Sequence, residues 1–302
     1  MRDQQRIVVG IGELLWDLLP SGKQLGGAPS NFSYITNLLG DTGIPASRVG
    51  NDALGEEALQ RLAQLGVSTD YLQRDFTRPT GTVKVEVDFD GQPRFEILHP
   101  VAWDCFQWTP AWQKLAAQAD AVCFGSLAQR SAESRSTIRN FLRATRPDAV
   151  RVFDVNLRQN FYSKEVIEES LERATIVKLN HDELPVVTRL LGWEHSGETE
   201  SAGRMLSLAG VKLVCVTRGV NGSLLITRDE CSEHRGFKIE VVDTVGAGDA
   251  FTAALLHGCL RAEPLEQINE DANRVGAWVA SQSGGMPAVQ ESRLPAILAR
   301  LA

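Results

Sequence analysis

Short apolar runs rich in β-branched residues alternate along this chain with longer stretches whose apolar positions recur at helical spacing. Residues 7–11, 121–124, 150–155, 176–179, 211–217 and 223–227 have the first pattern, and 55–65, 135–146, 163–173, 203–208 and 249–260 have the second. Strands that are apolar throughout are buried on both faces, and strands separated by helices pair in parallel, so the pattern predicts a mostly parallel α/β sheet between helical layers. One region departs from this rhythm. Residues 80–89 (TGTVKVEVDF) alternate apolar and polar, Asp90-Gly91 follows, and 94–98 (RFEIL) alternate again. That is a hairpin closed by a D-G turn with one face outside the main core. It predicts a small β-flap joined to the α/β body by the segment after Glu13, and an ordinary edge hairpin of the main sheet is the other arrangement the pattern permits. The stretch 196–203, rich in Gly, Ser and Glu, reads as a surface loop.

Composition narrows the classes. The chain has 302 residues, 43% hydrophobic and 23% charged, as expected of a globular protein with a full core. Its 31 Lys and Arg against 38 Asp and Glu give a net charge of −7, which argues against a general nucleic-acid binder while leaving room for one local anion site. No apolar run is long enough to span a bilayer and the first six residues are polar, so neither a membrane segment nor a signal peptide is expected. Five cysteines, odd in number and without a C-x-x-C pair, fit reduced thiols in a cytoplasm better than a disulfide or zinc framework.

Candidate chemistry concentrates in a few Gly-rich turns. Asp243 to Phe251 reads D-T-V-G-A-G-D-A-F and runs into an apolar helical stretch. A glycine turn that opens a helix points backbone N–H groups and the positive end of the helix dipole at one spot, which suits a phosphate. Asp249 sits in the first turn beside that cradle, where a carboxylate can take a proton from an attacking hydroxyl while Gly246, Ala247 and Gly248 hold developing charge. A first-turn acid that only favours the dipole is the plainer account. A second turn, G-G-A-P-S-N at 26–31, lets backbone approach a ligand closely and adds Asn31 at a helix start, or serves as a simple cap. Asp154, Asn156 and Arg158 fall at period two on the strand read over 150–157, near the carboxyl end where α/β sheets bind ligands, unless the strand has already ended. Asn180 and Glu183 form N-x-x-E after another strand and could orient a hydrated divalent cation, or Glu183 could be a first-turn acid. The segment 216–223 (VTRGVNGS) is either a turn over which a nucleotide lies or a hairpin. A P-loop, an H-E-x-x-H and a G-x-S-x-G are absent, and the G-x-G at 10–12 lacks its third glycine, so an NAD-dependent dehydrogenase is disfavoured.

Taken in chain order, these motifs resemble the ribokinase or PfkB carbohydrate-kinase family, and within it the fructokinases. The resemblance runs through G-E-L-L-W-D at 12–17, G-G-A-P-S-N, G-x-D-x-x-G at 50–55, D-V-N-L-R at 154–158, N-x-x-E, V-T-R-G-x-x-G at 216–222 and D-T-V-G-A-G-D-A-F. It implies a ribokinase-like, Rossmann-type three-layer α/β body over 1–302, with a mostly parallel sheet and a small β-sheet lid inserted from about 13–24 and 76–103. It implies ATP-dependent phosphorylation of a sugar hydroxyl, D-fructose to fructose 6-phosphate being favoured, with Asp249 as general base and 246–248 as anion hole. Asp17, Gly27, Asn31, Asn156 and Arg158 would hold the sugar. Asn180, Thr217, Gly219 and Gly222 would lie along ATP, with Asn273 and a helix over 276–283 bordering the adenine. Glu183 would organise Mg²⁺ through water, and Asp243 and Val245, with the 280–285 loop, would hold a monovalent cation such as K⁺. No nucleic-acid or membrane partner is implied, and the lid could also form a homodimer face. Other acceptors (2-keto-3-deoxygluconate, ribose or a nucleoside) and a non-catalytic sugar-binding protein on the same fold are the competing expectations.

Overall fold

The structure, a computed structural model, describes residues 5–19, 22–87, 93–193 and 197–289. The chain opens with β1 (Ile7–Ile11), β2 (Leu15–Leu19), β3 (Gly22–Gly26), α1 (Ala28–Leu38), β4 (Thr42–Gly50), α2 (Ala53–Gln64) and β5 (Leu72–Asp75). Next come β6 (Gly81–Val87), β7 (Pro93–Ile97), α3 (Pro110–Gln118), β8 (Ala121–Gly125), α4 (Ala132–Ala144), β9 (Val150–Asp154), α5 (Lys164–Leu171) and β10 (Ile176–Asn180). It continues through α6 (Glu183–Leu190), α7 (Glu198–Leu206), β11 (Leu213–Thr217), β12 (Ser223–Ile226), β13 (Cys231–His234), α8 (Ala247–Leu260) and α9 (Leu265–Ala280).

Nine strands form one sheet in the order β13-β12-β11-β10-β9-β8-β1-β4-β5. Every pairing from β11 to β5 is parallel, and β12 alone of these nine strands is reversed, pairing antiparallel with β11 and β13. Because these strands are buried on both sides, alternate residues feed two cores: Val9, Ile11, Val122 and Phe124 pack with α3 to α7, while Val8 and Ala121 pack with α1, α2, α8 and α9. The result is the expected helix–sheet–helix body. A separate sheet has the order β3-β2-β6-β7, so the alternating hairpin lies off the edge of the main sheet, and its Asp90-Gly91 turn lies outside the described residues. Among the described residues no helix is long and apolar enough to cross a membrane.

Three boundaries differ from the sequence reading. The stretch 196–203 is no loop from Glu198 onward, because α7 begins there and carries Gly203 in its interior. Two acids in its first turn and a buried stripe of Ala202, Met205 and Leu206 outweigh that glycine's cost. Strand β9 ends at Asp154, so Asn156 and Arg158 belong to a loop, with Asn156 at φ 43° and Arg158 exposed. Helix α9 covers 265–280 and stops before Ser283, its terminal backbone closing onto Ala277, Trp278 and Val279.

Helix α8 crosses the body from the carboxyl ends of the strands to their amino ends, about 21 Å at 1.5 Å per residue. Its far end is fastened by Asp41, which is 2% exposed and accepts from Arg261 through two 3.0 Å hydrogen bonds, with His257 Nδ1 at 2.7 Å. Burial alone would raise the Asp41 pKa, but the hydrogen bonds from His257 and Arg261 outweigh it and hold the group at about 2. A folded-state value below the unfolded one means that this contribution is complete above about pH 4 and is lost as pH falls towards 2. Asp41→Ala is expected to lower stability by about 2–4 kcal/mol, since Arg261 loses its buried acceptor, and a urea unfolding midpoint at pH 7 reads this directly.

Candidate active site

The carboxyl ends of β1, β8, β9 and β10 meet the amino ends of α1, α6 and α8, where open α/β sheets bind their ligands. Gly246 caps α8 in the left-handed region at φ 76°, and a side chain there would place its Cβ 2.3 Å from Gly285 Cα. Only glycine therefore fits. The loop before it is tied down by Asp243, whose carboxylate accepts from the N–H groups of Val245 and Gly284, both at 3.0 Å. The N–H groups of Val242 and Asp243 in turn donate to the carbonyl of Ala280. Val245 is exposed, as is Gly248 one turn further on.

Asp249 stands just inside this cradle. Asn31 Nδ2 donates to its Oδ2 at 2.8 Å, joining α1 to α8. Burial raises the Asp249 carboxyl to about 6, with Asp154 pushing the same way and the Asn31 hydrogen bond, Lys178 and Arg158 opposing. Asn31 Oδ1 is buried without a hydrogen-bond partner among the described residues, and Gly285 approaches so closely that a Cβ there would meet the Asn31 amide at 2.6 Å. Gly27 adopts φ 109° against the carbonyl of Glu13 and opens α1. Asp17, on β2 of the small sheet, is raised to about 6 by burial, with Arg158 opposing and Asp243 adding to the shift.

A second acid was not found from sequence. Glu13, 5% exposed, lines a cavity of about 20 Å³ together with Asp249, Asp154, Asn156 and Ser126. Burial raises its carboxyl to about 7, and the nearby charge of Asp249 contributes to the rise while Arg158 opposes it. Arg158 thus lies within electrostatic reach of Glu13, Asp17 and Asp249 although its side chain is exposed.

Asn180 and Glu183 begin α6 together. Asn180 Oδ1 accepts the N–H groups of Asp182 (2.9 Å) and Glu183 (2.8 Å), and the Glu183 carboxylate accepts those of Asn180 (2.9 Å) and Leu157 (2.8 Å). Glu183 is therefore more than a first-turn acid, because it also fixes the loop that carries Asn156 and Arg158. Burial raises its pKa, while Lys178 and the two backbone donors work against the rise. Among the described residues no three His, Cys, Asp or Glu side chains come together to hold a metal directly.

Thr217 pairs with Asn180 across β10 and β11. Beyond it Gly219 (φ 57°) and Gly222 (φ 83°) turn the chain into β12, an antiparallel hairpin whose tip exposes Val220. Gly222 also runs against β13, since a Cβ there would meet the His234 carbonyl at 2.0 Å. Asn273 is buried on α9, where its amide donates to Ser223 Oγ (2.7 Å) and to Asn269, so its nitrogen faces the core. The structure thus gathers Asp17, Gly27, Asn31, Asn156, Arg158 and Asp249 on one side, with Asn180, Thr217 and the 219–222 turn along the neighbouring strand ends. Glu13 and the buried Lys178 escaped the sequence reading. A lone charge inside the apolar run I-V-K-L-N was the available signal for Lys178.

Comparison with known proteins identifies the family. The model of the pfkB family carbohydrate kinases matches residues 21–292. A fructokinase of Klebsiella pneumoniae is 31% identical, with 92% of this chain and 94% of that protein aligned. The crystal structure of an uncharacterized sugar kinase from Pyrococcus horikoshii in complex with ATP superimposes with a TM-score of 0.79 at 29% identity, covering 93% of this chain and 94% of that one. A Vibrio cholerae fructokinase, crystallised with fructose, ADP and a calcium ion, shares the fold with a TM-score of 0.80 at 24% identity over 98% of each chain. The chain belongs to the pfkB family of carbohydrate kinases.

Because the Asn31 hydrogen bond stabilises the ionised form of Asp249, Asn31→Ala is expected to move the Asp249 titration above about 6. Carbon-13 NMR of labelled aspartate carboxyls across pH 4–8 measures the shift. An unchanged midpoint would mean that the contact does not form in solution.

Proposed function

We propose that this protein transfers the γ-phosphoryl group of ATP to a sugar hydroxyl, and that D-fructose, yielding fructose 6-phosphate, is the acceptor. The observation that carries the reading is the half-buried Asp249 carboxylate in the first turn of α8, with its proton affinity raised and its orientation set by Asn31. The fructokinase relatives support the choice of sugar, and the ATP complex of the P. horikoshii relative supports the nucleotide.

In this reading Asp17, Gly27, Asn31, Asn156 and Arg158 hold the sugar so that one hydroxyl faces Asp249. Asp249 takes that hydroxyl's proton as the oxygen bonds to the γ-phosphorus, and the bond from phosphorus to the β-phosphate oxygen breaks to release ADP. The backbone N–H groups at 246–248 receive the charge on the transferring group, strengthened by the helix dipole. Asn180, Thr217, Gly219 and Gly222 border the nucleotide, and Asn273, whose amide is bonded into the core, supports the 219–222 turn from behind through Ser223. Glu183 and Asn180 fit a role in holding hydrated Mg²⁺, which supplies charge neutralisation on the phosphates. Asp243 and Val245 frame a loop suited to a monovalent cation such as K⁺. The small sheet acts as the lid, over segments of about 13–24 and 76–103 of a single 1–302 domain, and excludes water that would otherwise compete with the sugar as acceptor. A homodimer through that sheet and a cytoplasmic location belong to the same proposal.

ADP release with Mg-ATP across fructose, glucose, mannose, ribose, 2-keto-3-deoxygluconate and adenosine, with and without K⁺, tests it. Fructose should win, and another winner would keep the chemistry and replace the substrate. Folded protein without turnover on any acceptor would instead favour a binding protein. Asp249→Asn should lower kcat by roughly 10²–10⁴ with the sugar KM largely kept, the size expected for loss of a general base. The base works only as a carboxylate, so kcat/KM of the wild type should be flat above about pH 6 and fall about tenfold per unit below it. Arg158→Ala should raise the KM of at least one substrate, and unchanged values for both would remove Arg158 from the site.

A further inference from the structure

Strand β10 carries a lysine in the middle of the sheet. Lys178 is 7% exposed, and its Nζ donates to both carboxylate oxygens of Asp154 at 3.0 and 3.1 Å. Asp154 Oδ2 also accepts from Thr252 Oγ1 at 2.9 Å, and that hydroxyl lies 2.9 Å from the carbonyl of Gly248. On its other side the ammonium abuts the cradle itself, because a Cβ built on Gly248 would sit 3.2 Å from Nζ. One buried cation therefore ties β9 and β10 to the turn that opens α8.

The charges around it give this placement a purpose. Asp154 on β9, Glu183 on α6 and Asp249 on α8 all act electrostatically on Lys178, and Arg158 at the surface is the further cation that acts on Asp249. Three carboxylates under an anion cradle would repel a phosphate, and the repulsion from Asp154 and Glu183 is weakly screened because both are buried. A buried ion pair is also poor value as a stability device, since neutral groups of similar shape often serve as well. We propose that Lys178 is a positioning residue for phosphoryl transfer: its ammonium offsets the carboxylates beneath the first turn of α8 and holds that turn in place, so that the 246–248 cradle accepts a phosphate. This rests on the kinase reading above.

The test separates charge from scaffolding by comparing Lys178→Met, Asp154→Asn and the double variant Asp154→Asn/Lys178→Met. Lys178→Met alone leaves Asp154 buried and unpaired and is expected to melt well below the wild type. The double variant removes both charges and should recover a melting temperature within a few degrees of the wild type. Its kcat should nonetheless stay about 10²-fold low or more, with the sugar KM within about threefold, because the cradle has lost its cation. Asp154→Asn keeps the ammonium and should lose clearly less, about tenfold at most, and this comparison decides the matter if the double variant does not fold. A double variant with kcat within threefold of the wild type, or Asp154→Asn as impaired as the variants lacking Lys178, would overturn the proposal and leave the pair a structural staple. A wild type without turnover on any acceptor would overturn the kinase reading itself, whereas an active wild type matched by the double variant overturns only the role of Lys178.

Discussion

The first turn of α8 is pressed between backbone on one side and a buried ammonium on the other. Gly246 meets Gly285 with no space for a side chain, Gly285 meets the Asn31 amide in the same way, and Gly248 rests on Lys178. These contacts set where the helix dipole points and where Asp249 stands, and the remaining site groups are arranged around that fixed origin. Tight packing of this kind cannot deform gradually, so the position of the turn is nearly an all-or-none property of the fold. The two ends of α8 divide the labour. Asp41 with Arg261 and His257 anchors the end remote from the site, and the glycines and Asn31 set the end that faces it.

A cluster of acids surrounds that origin, and each is handled differently. Glu183 is met by two backbone N–H groups, Asp154 by Lys178 and Thr252, and Asp249 by a single side-chain amide. Glu13 receives, from other described residues, only a long 3.4 Å contact from the Ala28 N–H, and burial raises its carboxyl to about 7. The uneven supply of donors has a simple consequence. A buried carboxylate stays ionised in proportion to the donors and cations that replace its lost water, and the structure supplies these unevenly. In the proposed reaction the general base must be ionised near neutral pH yet still willing to take a proton, a requirement that a carboxyl raised to about 6 meets.

Much of this was legible in the chain. The parallel strands β1 and β8 to β11 announce themselves as β-branched apolar runs, the alternating hairpin separates from them by its period, and the glycine turns at 26–27 and 246–248 mark close backbone approach. Other elements carry no such mark. Strand β4 reads T-G-I-P-A-S-R-V-G, and its Pro45, Gly43 and Arg48 hide a strand that pairs on both sides. Helix α7 carries Gly203, beside which space is open, so the residue weakens the local pattern without disturbing the packing. Period two placed Asn156 and Arg158 on a strand that tertiary contacts end earlier, where Glu183 captures the Leu157 N–H. Glu13 and Lys178 have functional surroundings only because residues far away in sequence converge on them, and no local window contains that information.

The separation along the chain of the groups that meet at the site has a consequence for synthesis. Asn31 and Asp249 touch across 218 residues, and α8 packs on α1, which is made near the beginning. A nascent chain emerging from the ribosome presents the face of α1 long before its covering helix exists, and contacts of such range are among the last to close in folding. Truncated or prematurely released products therefore carry Asn31 and the exposed face of α1 without Asp249 and the helix that covers it.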